Sequence, residues 1–63
     1  MARYPKYPYY VVEKTTGLVW AGADYREDAK DFQKDLPIPP AETTVLMAKS
    51  VLSRYGRVQW AKG

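Results

Sequence analysis

Cysteine, histidine and asparagine are all missing from the sequence. Without thiolate or imidazole there is no zinc, iron–sulfur or haem site of the usual kind, no disulfide, and no imidazole to activate a nucleophile. Without Asn there is no N-glycosylation acceptor. No stretch approaches the ~20 apolar residues of a membrane span, and the opening Met-Ala-Arg-Tyr-Pro-Lys-Tyr-Pro has no apolar core of a signal peptide. The expectation is a chain with no cofactor, no metal and no membrane contact, and the lack of disulfides points to the cytoplasm.

Acids are scarce in one part of the chain. Residues 24–36 hold five acids and three bases, a balance of −2, although the whole chain carries +3. No acid follows Glu42, so Lys49, Arg54, Arg57 and Lys62 give residues 43–63 a net +4. Such a surface suits phosphates or an acidic protein.

At 63 residues there is room for one domain near the lower size limit, able to bury about 60% of its unfolded surface. Six Tyr, two Trp and one Phe supply large apolar area per residue. A partner subunit would supply more, so self-association is expected from size alone.

The most ordered stretch is residues 9–36. Tyr9-Tyr10-Val11-Val12-Glu13-Lys14 and Leu18-Val19-Trp20-Ala21 are rich in β-branched and aromatic residues and flank Thr15-Thr16-Gly17, where Gly17 can take the positive φ that closes a short hairpin loop. If Lys14 and Leu18 close the loop, Val12 faces Trp20 and Tyr10 faces Gly22 on one side, while Val11 faces Ala21 and Glu13 faces Val19 on the other. The side with Trp20 carries the larger apolar group and is expected to be buried, with Trp20 against Phe32 and Leu52.

A helix is predicted over residues 24–36. Asp24 is the expected N-cap with Glu27 three positions on, Tyr25, Ala29, Phe32 and Leu36 draw an apolar stripe, and Pro37 stops the helix. Asp24, Asp28, Asp31 and Asp35 share a convex face interspersed with Lys30 and Lys34, which reads as a solvated, ion-paired surface and not as converging cation ligands.

The stiff connector Leu36-Pro37-Ile38-Pro39-Pro40 leads to a second predicted helix, residues 40–55. Its stripe is Ala41, Val45, Ala48, Leu52 and Tyr55, widened by Leu46, Met47 and Val51, and Gly56 ends it. Arg57-Val58-Gln59-Trp60 then alternates as a last short strand, placed beside the first. The predicted fold is α+β in the order β-β-α-α-β: a three-stranded antiparallel sheet with two helices packed on one face. Residues 1–8 form an extended arm and residues 9–62 a single domain.

No residue set supports catalysis. Ser50 and Ser53 have no histidine, Lys49 adjoins Ser50 without necessarily facing it, no glycine-rich phosphate loop exists, and the chain is short for a water-excluding pocket. The expected function is therefore that of a small non-catalytic binding module acting through protein–protein contact, with a second copy or another protein as partner. Leu46, Met47 and Val51 are its candidate interface residues, because they exceed what one helix stripe needs. The alternative is weak, salt-dependent nucleic-acid binding. Lys49, Arg54, Arg57 and Lys62 would contact phosphates, and the arm residues Arg3, Tyr4, Lys6 and Tyr7 would stack on bases and meet the backbone.

Overall fold

The computed structural model describes residues 7–61. Strand β1 (Tyr9–Glu13) and strand β2 (Leu18–Ala23) form the expected hairpin, followed by helix α1 (Arg26–Asp35), a 3₁₀ turn (Pro40–Glu42), strand β3 (Thr43–Met47), helix α2 (Ala48–Tyr55) and the two-residue strand β4 (Gln59–Trp60). The class is α+β, with two helices and one mixed four-stranded sheet in the order β3-β1-β2-β4.

The predicted second helix is the largest correction. Its first half divides into the 3₁₀ turn Pro40–Glu42 and β3: Thr43-Thr44-Val45 is a β-branched run at ease in extended backbone, and the edge of β1 gives it a strand to pair with. Only residues 48–55 are helical, and Gly56 closes them in the left-handed conformation at φ 78, its N–H donating to Leu52 O at 2.9 Å. β3 occupies the edge of β1 predicted for the last strand. β4 consequently pairs on the far side of the hairpin, parallel to β2, with Leu18 beside Gln59 and Val19 beside Trp60.

β1 lies at the centre, antiparallel to both β2 and β3. Hence β2, β3 and β4 all run in one direction, and α1 and α2 are crossovers between parallel strands. The first crossover carries the chain over β1 to one edge, and the second carries it back to the other. Two crossovers of one hand that run in opposite directions put their helices on opposite faces. The helices are so placed, in contrast to the one-face packing predicted. Ala29 of α1 is buried with Val11 and Ala23 on one face, while Val51 of α2 is buried with Tyr10, Val12 and Val19 on the other.

The hairpin register is as predicted at Tyr10 with Gly22 and Val11 with Ala21, and then changes. Val12 pairs with Val19 across a bulge, which leaves Trp20 as the extra residue of β2. Both hairpin faces are buried, so the choice between them does not arise. Trp20 belongs to neither core; it is half-buried, and its Nε1–H donates to Glu13 Oε1 at 3.3 Å. Phe32 and Leu52, the neighbours expected for it, are exposed residues on opposite faces of the sheet.

α1 begins at Arg26, with Tyr25 at the cap position and no side-chain cap bond, so the predicted Asp24–Glu27 capping box does not form. Asp24, Asp28, Asp31 and Asp35 are all exposed.

Candidate functional site

The surface that combines open hydrogen-bonding groups with exposed apolar area is the outer edge of β3. Its geometry follows from the ladder to β1. Lys14 N–H donates to Glu42 O at 2.9 Å and Ala48 N–H donates to Pro8 O at 3.0 Å, so hydrogen-bonded pairs fall at Lys14/Glu42, Val12/Thr44, Tyr10/Leu46 and Pro8/Ala48. Thr44 and Leu46 therefore turn their peptide groups toward β1. Thr43, Val45 and Met47 turn theirs outward.

At Thr43 the outward groups are already satisfied. Its N–H donates to Pro40 O, and its carbonyl accepts from Gln33 Nε2 of α1 at 3.1 Å. Gln33 Nε2 also reaches Thr43 Oγ1 at 2.8 Å and Pro40 O at 3.2 Å, and Thr43 Oγ1 donates to Pro40 O at 3.2 Å. This clamp explains how the buried Thr43 keeps its hydroxyl bonded at a strand edge.

Among the described residues the edge beyond the clamp is open. The Met47 carbonyl, at the N-cap of α2, accepts the first bond of that helix. Val45 N–H, Val45 C=O and Met47 N–H have no partner among the described residues. The Met47 side chain is 53% exposed beside them.

Of the three interface residues picked from the sequence, the structure brings Leu46 and Val51 together in the core face under α2 and leaves Met47 outside. Val51 is fully buried and Leu46 half-buried against the same cluster, so neither forms a free apolar surface on α2. Gln33, Thr43 and Val45, which shape the edge, were not picked. The β-branched run at residues 43–45 was the available signal, whereas nothing local marks Gln33 as a clamp, since its three acceptors lie seven to ten residues away.

The cations are exposed but dispersed. Lys49 stands in the first turn of α2, where the helix dipole opposes it, Arg54 in the last turn, where the dipole favours it, and Arg57 beyond Gly56. Lys62, and the arm residues Arg3, Tyr4 and Lys6, lie outside the described residues. Tyr7 packs against the core: its N–H donates to Tyr10 Oη at 3.2 Å, and its ring stands edge-on to Tyr10 and Trp60 at centroid distances of 6.3 and 6.5 Å. Trp60 itself is 47% exposed.

Fold and site together define a small α+β domain whose central strand is buried on both faces and whose β3 edge is partly open. No family model, no curated protein and no solved structure matches the chain. Among the described residues no helix is long and apolar enough to cross a membrane.

Proposed function

We propose that the protein is a non-catalytic binding module that works through protein–protein contact, and that the contact is made at the outer edge of β3. The supporting observation is the set of three unpartnered backbone groups, Val45 N–H, Val45 C=O and Met47 N–H, beside an exposed methionine. A strand of another polypeptide is the ligand that satisfies donors and acceptors at this spacing. Met47 is a side chain that adapts its shape to whatever covers it.

Sedimentation equilibrium at micromolar concentration, with amide exchange read residue by residue, tests the reading. A module of this kind shows slowed exchange at Val45 and Met47 when a strand-forming partner is present, for which a peptide copying residues 42–48 serves as probe. Exchange at both amides that stays as fast as in an unstructured peptide, with and without the probe and at every protein concentration, removes the reading.

A second reading, nucleic-acid binding, is supported by the exposure of Lys49, Arg54 and Arg57 in a third of the chain that has no acid. Contacts of this kind are made with phosphates, so affinity for labelled oligonucleotides should fall with salt at a log–log slope of about −0.9 per phosphate on duplex DNA and about −0.7 on single strands. Absence of binding below roughly 100 μM at low salt ends it, since non-specific binders reach about 10⁻⁴–10⁻⁶ M even at physiological salt.

A further inference from the structure

We propose that the strand which completes the β3 edge is β3 of a second copy, paired antiparallel about a two-fold axis at Val45 so that two four-stranded sheets become one of eight. The inference rests on the protein-contact reading above and adds the partner and the register.

Self-complementarity is the first argument. With Val45 opposite Val45 of the second copy, each Val45 N–H donates to the other Val45 C=O, as in any hydrogen-bonded antiparallel pair. The next pair in the same ladder is Met47 opposite Thr43. Met47 N–H then donates to the Thr43 carbonyl, whose second lone pair is free because Gln33 Nε2 occupies one. All three open groups on each copy are used, and no group already bonded in the monomer gives up its partner.

Length is the second argument. β3 is five residues long, with the 3₁₀ turn Pro40–Glu42 before it and α2 directly after it. Antiparallel pairing at Val45 sets each copy's start of α2 opposite the other's 3₁₀ turn, so both strands leave the sheet where the partner's edge ends. A longer continuous strand would run into Pro40 and the Gln33 clamp.

Charge is the third. Edge strands that stay monomeric commonly carry lysine, proline or an inward-pointing charge. Thr43-Thr44-Val45-Leu46-Met47 contains none of these. The symmetric pairing therefore brings no like charges of the strand together, and it sets Val45 against Val45 on the α1 face of the sheet.

The decisive variant is Met47→Pro. Met47 has φ −71, which proline adopts without strain, and its N–H points away from β1, so no bond within one copy is lost. Leu46 is in a strand, the conformation allowed before proline. The expected result is a dimer in sedimentation equilibrium for the parent and a dissociation constant raised about tenfold or more for Met47→Pro, with an unchanged circular dichroism spectrum, because two of the four intermolecular bonds are gone. Register is read separately. Thr44 and Leu46 of opposing copies form a non-hydrogen-bonded pair with Cα atoms about 4.5 Å apart, so Thr44→Cys mixed with Leu46→Cys should oxidise to a heterodimer faster than either variant oxidises alone.

A dimer that survives Met47→Pro at full affinity, or a mixed disulfide no faster than the self-disulfides, overturns the proposal by placing the contact elsewhere. A strict monomer whose Val45 and Met47 amides are nevertheless protected by the residue 42–48 peptide overturns the second copy as occupant and leaves the protein-contact reading standing. A strict monomer unaffected by the peptide overturns both.

Discussion

The Tyr55 ring lies against the backbone of Gly17, so close that a Cβ at that position would come within 2.5 Å of Tyr55 Cδ1. One contact thus joins the end of α2 to the hairpin loop, and the Tyr55 hydroxyl adds a long bond to Lys14 O at 3.4 Å. Gly17 is needed twice here. It holds φ 77 while donating its N–H to Glu13 O at 2.8 Å, and it leaves room for the ring.

Gly17→Ala should therefore cost about 2–4 kcal/mol, combining roughly 1 kcal/mol of left-handed strain with ~1–3 kcal/mol of overpacking. Gly56 supplies the control: it has the same φ, 78, but nothing within 4 Å of a Cβ. Gly56→Ala should cost only the strain, about 1 kcal/mol. Thermal melts of the two variants separate the effects, since 1 kcal/mol moves the Tm of a domain this size by about 4–8 °C. Equal losses for the two would show that the Tyr55 contact is immaterial.

Much of the hairpin was legible because its determinants are local. Gly17 and Gly56 each mark a positive φ that ends an element, and both do so. The two-sided burial of β1 was legible too, in hindsight, because Tyr9-Tyr10-Val11-Val12 is apolar without alternation, the pattern of a central strand covered on both faces. Residues 43–47 satisfy a helical stripe and a β-branched run at once, and the competition is settled by the open edge of β1 more than by propensity. The bulge at Trp20 and the clamp at Gln33 depend on contacts that no short window contains. As for the site, Met47 was legible as surplus apolar surface, but the open groups at Val45 follow only from the register of β3 on β1.

Burial assigns different weights to Trp20 and Tyr10. Tyr10 is 1% exposed, packed with Val12, Val19 and Val51, and edge-on to Trp60 at 5.7 Å. Tyr10→Ala should cost about 3–5 kcal/mol, enough to unfold a domain of this size. Trp20→Phe removes the hydrogen bond to Glu13 while keeping most of the apolar area, and should cost only about 1 kcal/mol. Urea titrations order the two, and the reverse order would restore Trp20 to the core.

The Gln33 clamp gives a prediction with a pH signature. Gln33 donates from Nε2 toward the carbonyls of Pro40 and Thr43, so Gln33→Glu points a carboxylate at two acceptors. Only the protonated acid can donate there, which raises the pKa of the introduced carboxyl in the folded state above its unfolded value of about 4.3. The variant should match the parent most closely below about pH 4.3 and lose stability as pH rises through the folded-state pKa. Gln33→Met keeps the length without the donor and should show a loss that does not change over that range. Stability measured from pH 3 to 7 for both variants checks this, and a flat profile for Gln33→Glu would mean that the clamp does not hold the edge.

The Tyr7 ring covers Gly22 as Tyr55 covers Gly17, and a Cβ at Gly22 would clash with the ring. Gly22 has no positive φ, so the need for glycine here is purely steric. Gly22→Ala should displace Tyr7 at a cost of about 1–3 kcal/mol and, through the edge-on contact between Tyr7 and Trp60, alter the near-ultraviolet circular dichroism of the indole. In a Tyr7→Ala background the clash has already gone, so adding Gly22→Ala should be neutral or stabilise by up to about 0.5–1 kcal/mol, because alanine loses less backbone entropy than glycine in a strand interior. The coupling between the two positions, obtained from a double-mutant cycle of thermal or urea unfolding, should then be on the order of 1.5–3 kcal/mol. A coupling near zero would mean that Tyr7 does not rest on β2 in solution, leaving its ring free to stack on nucleobases as the arm of the nucleic-acid reading requires.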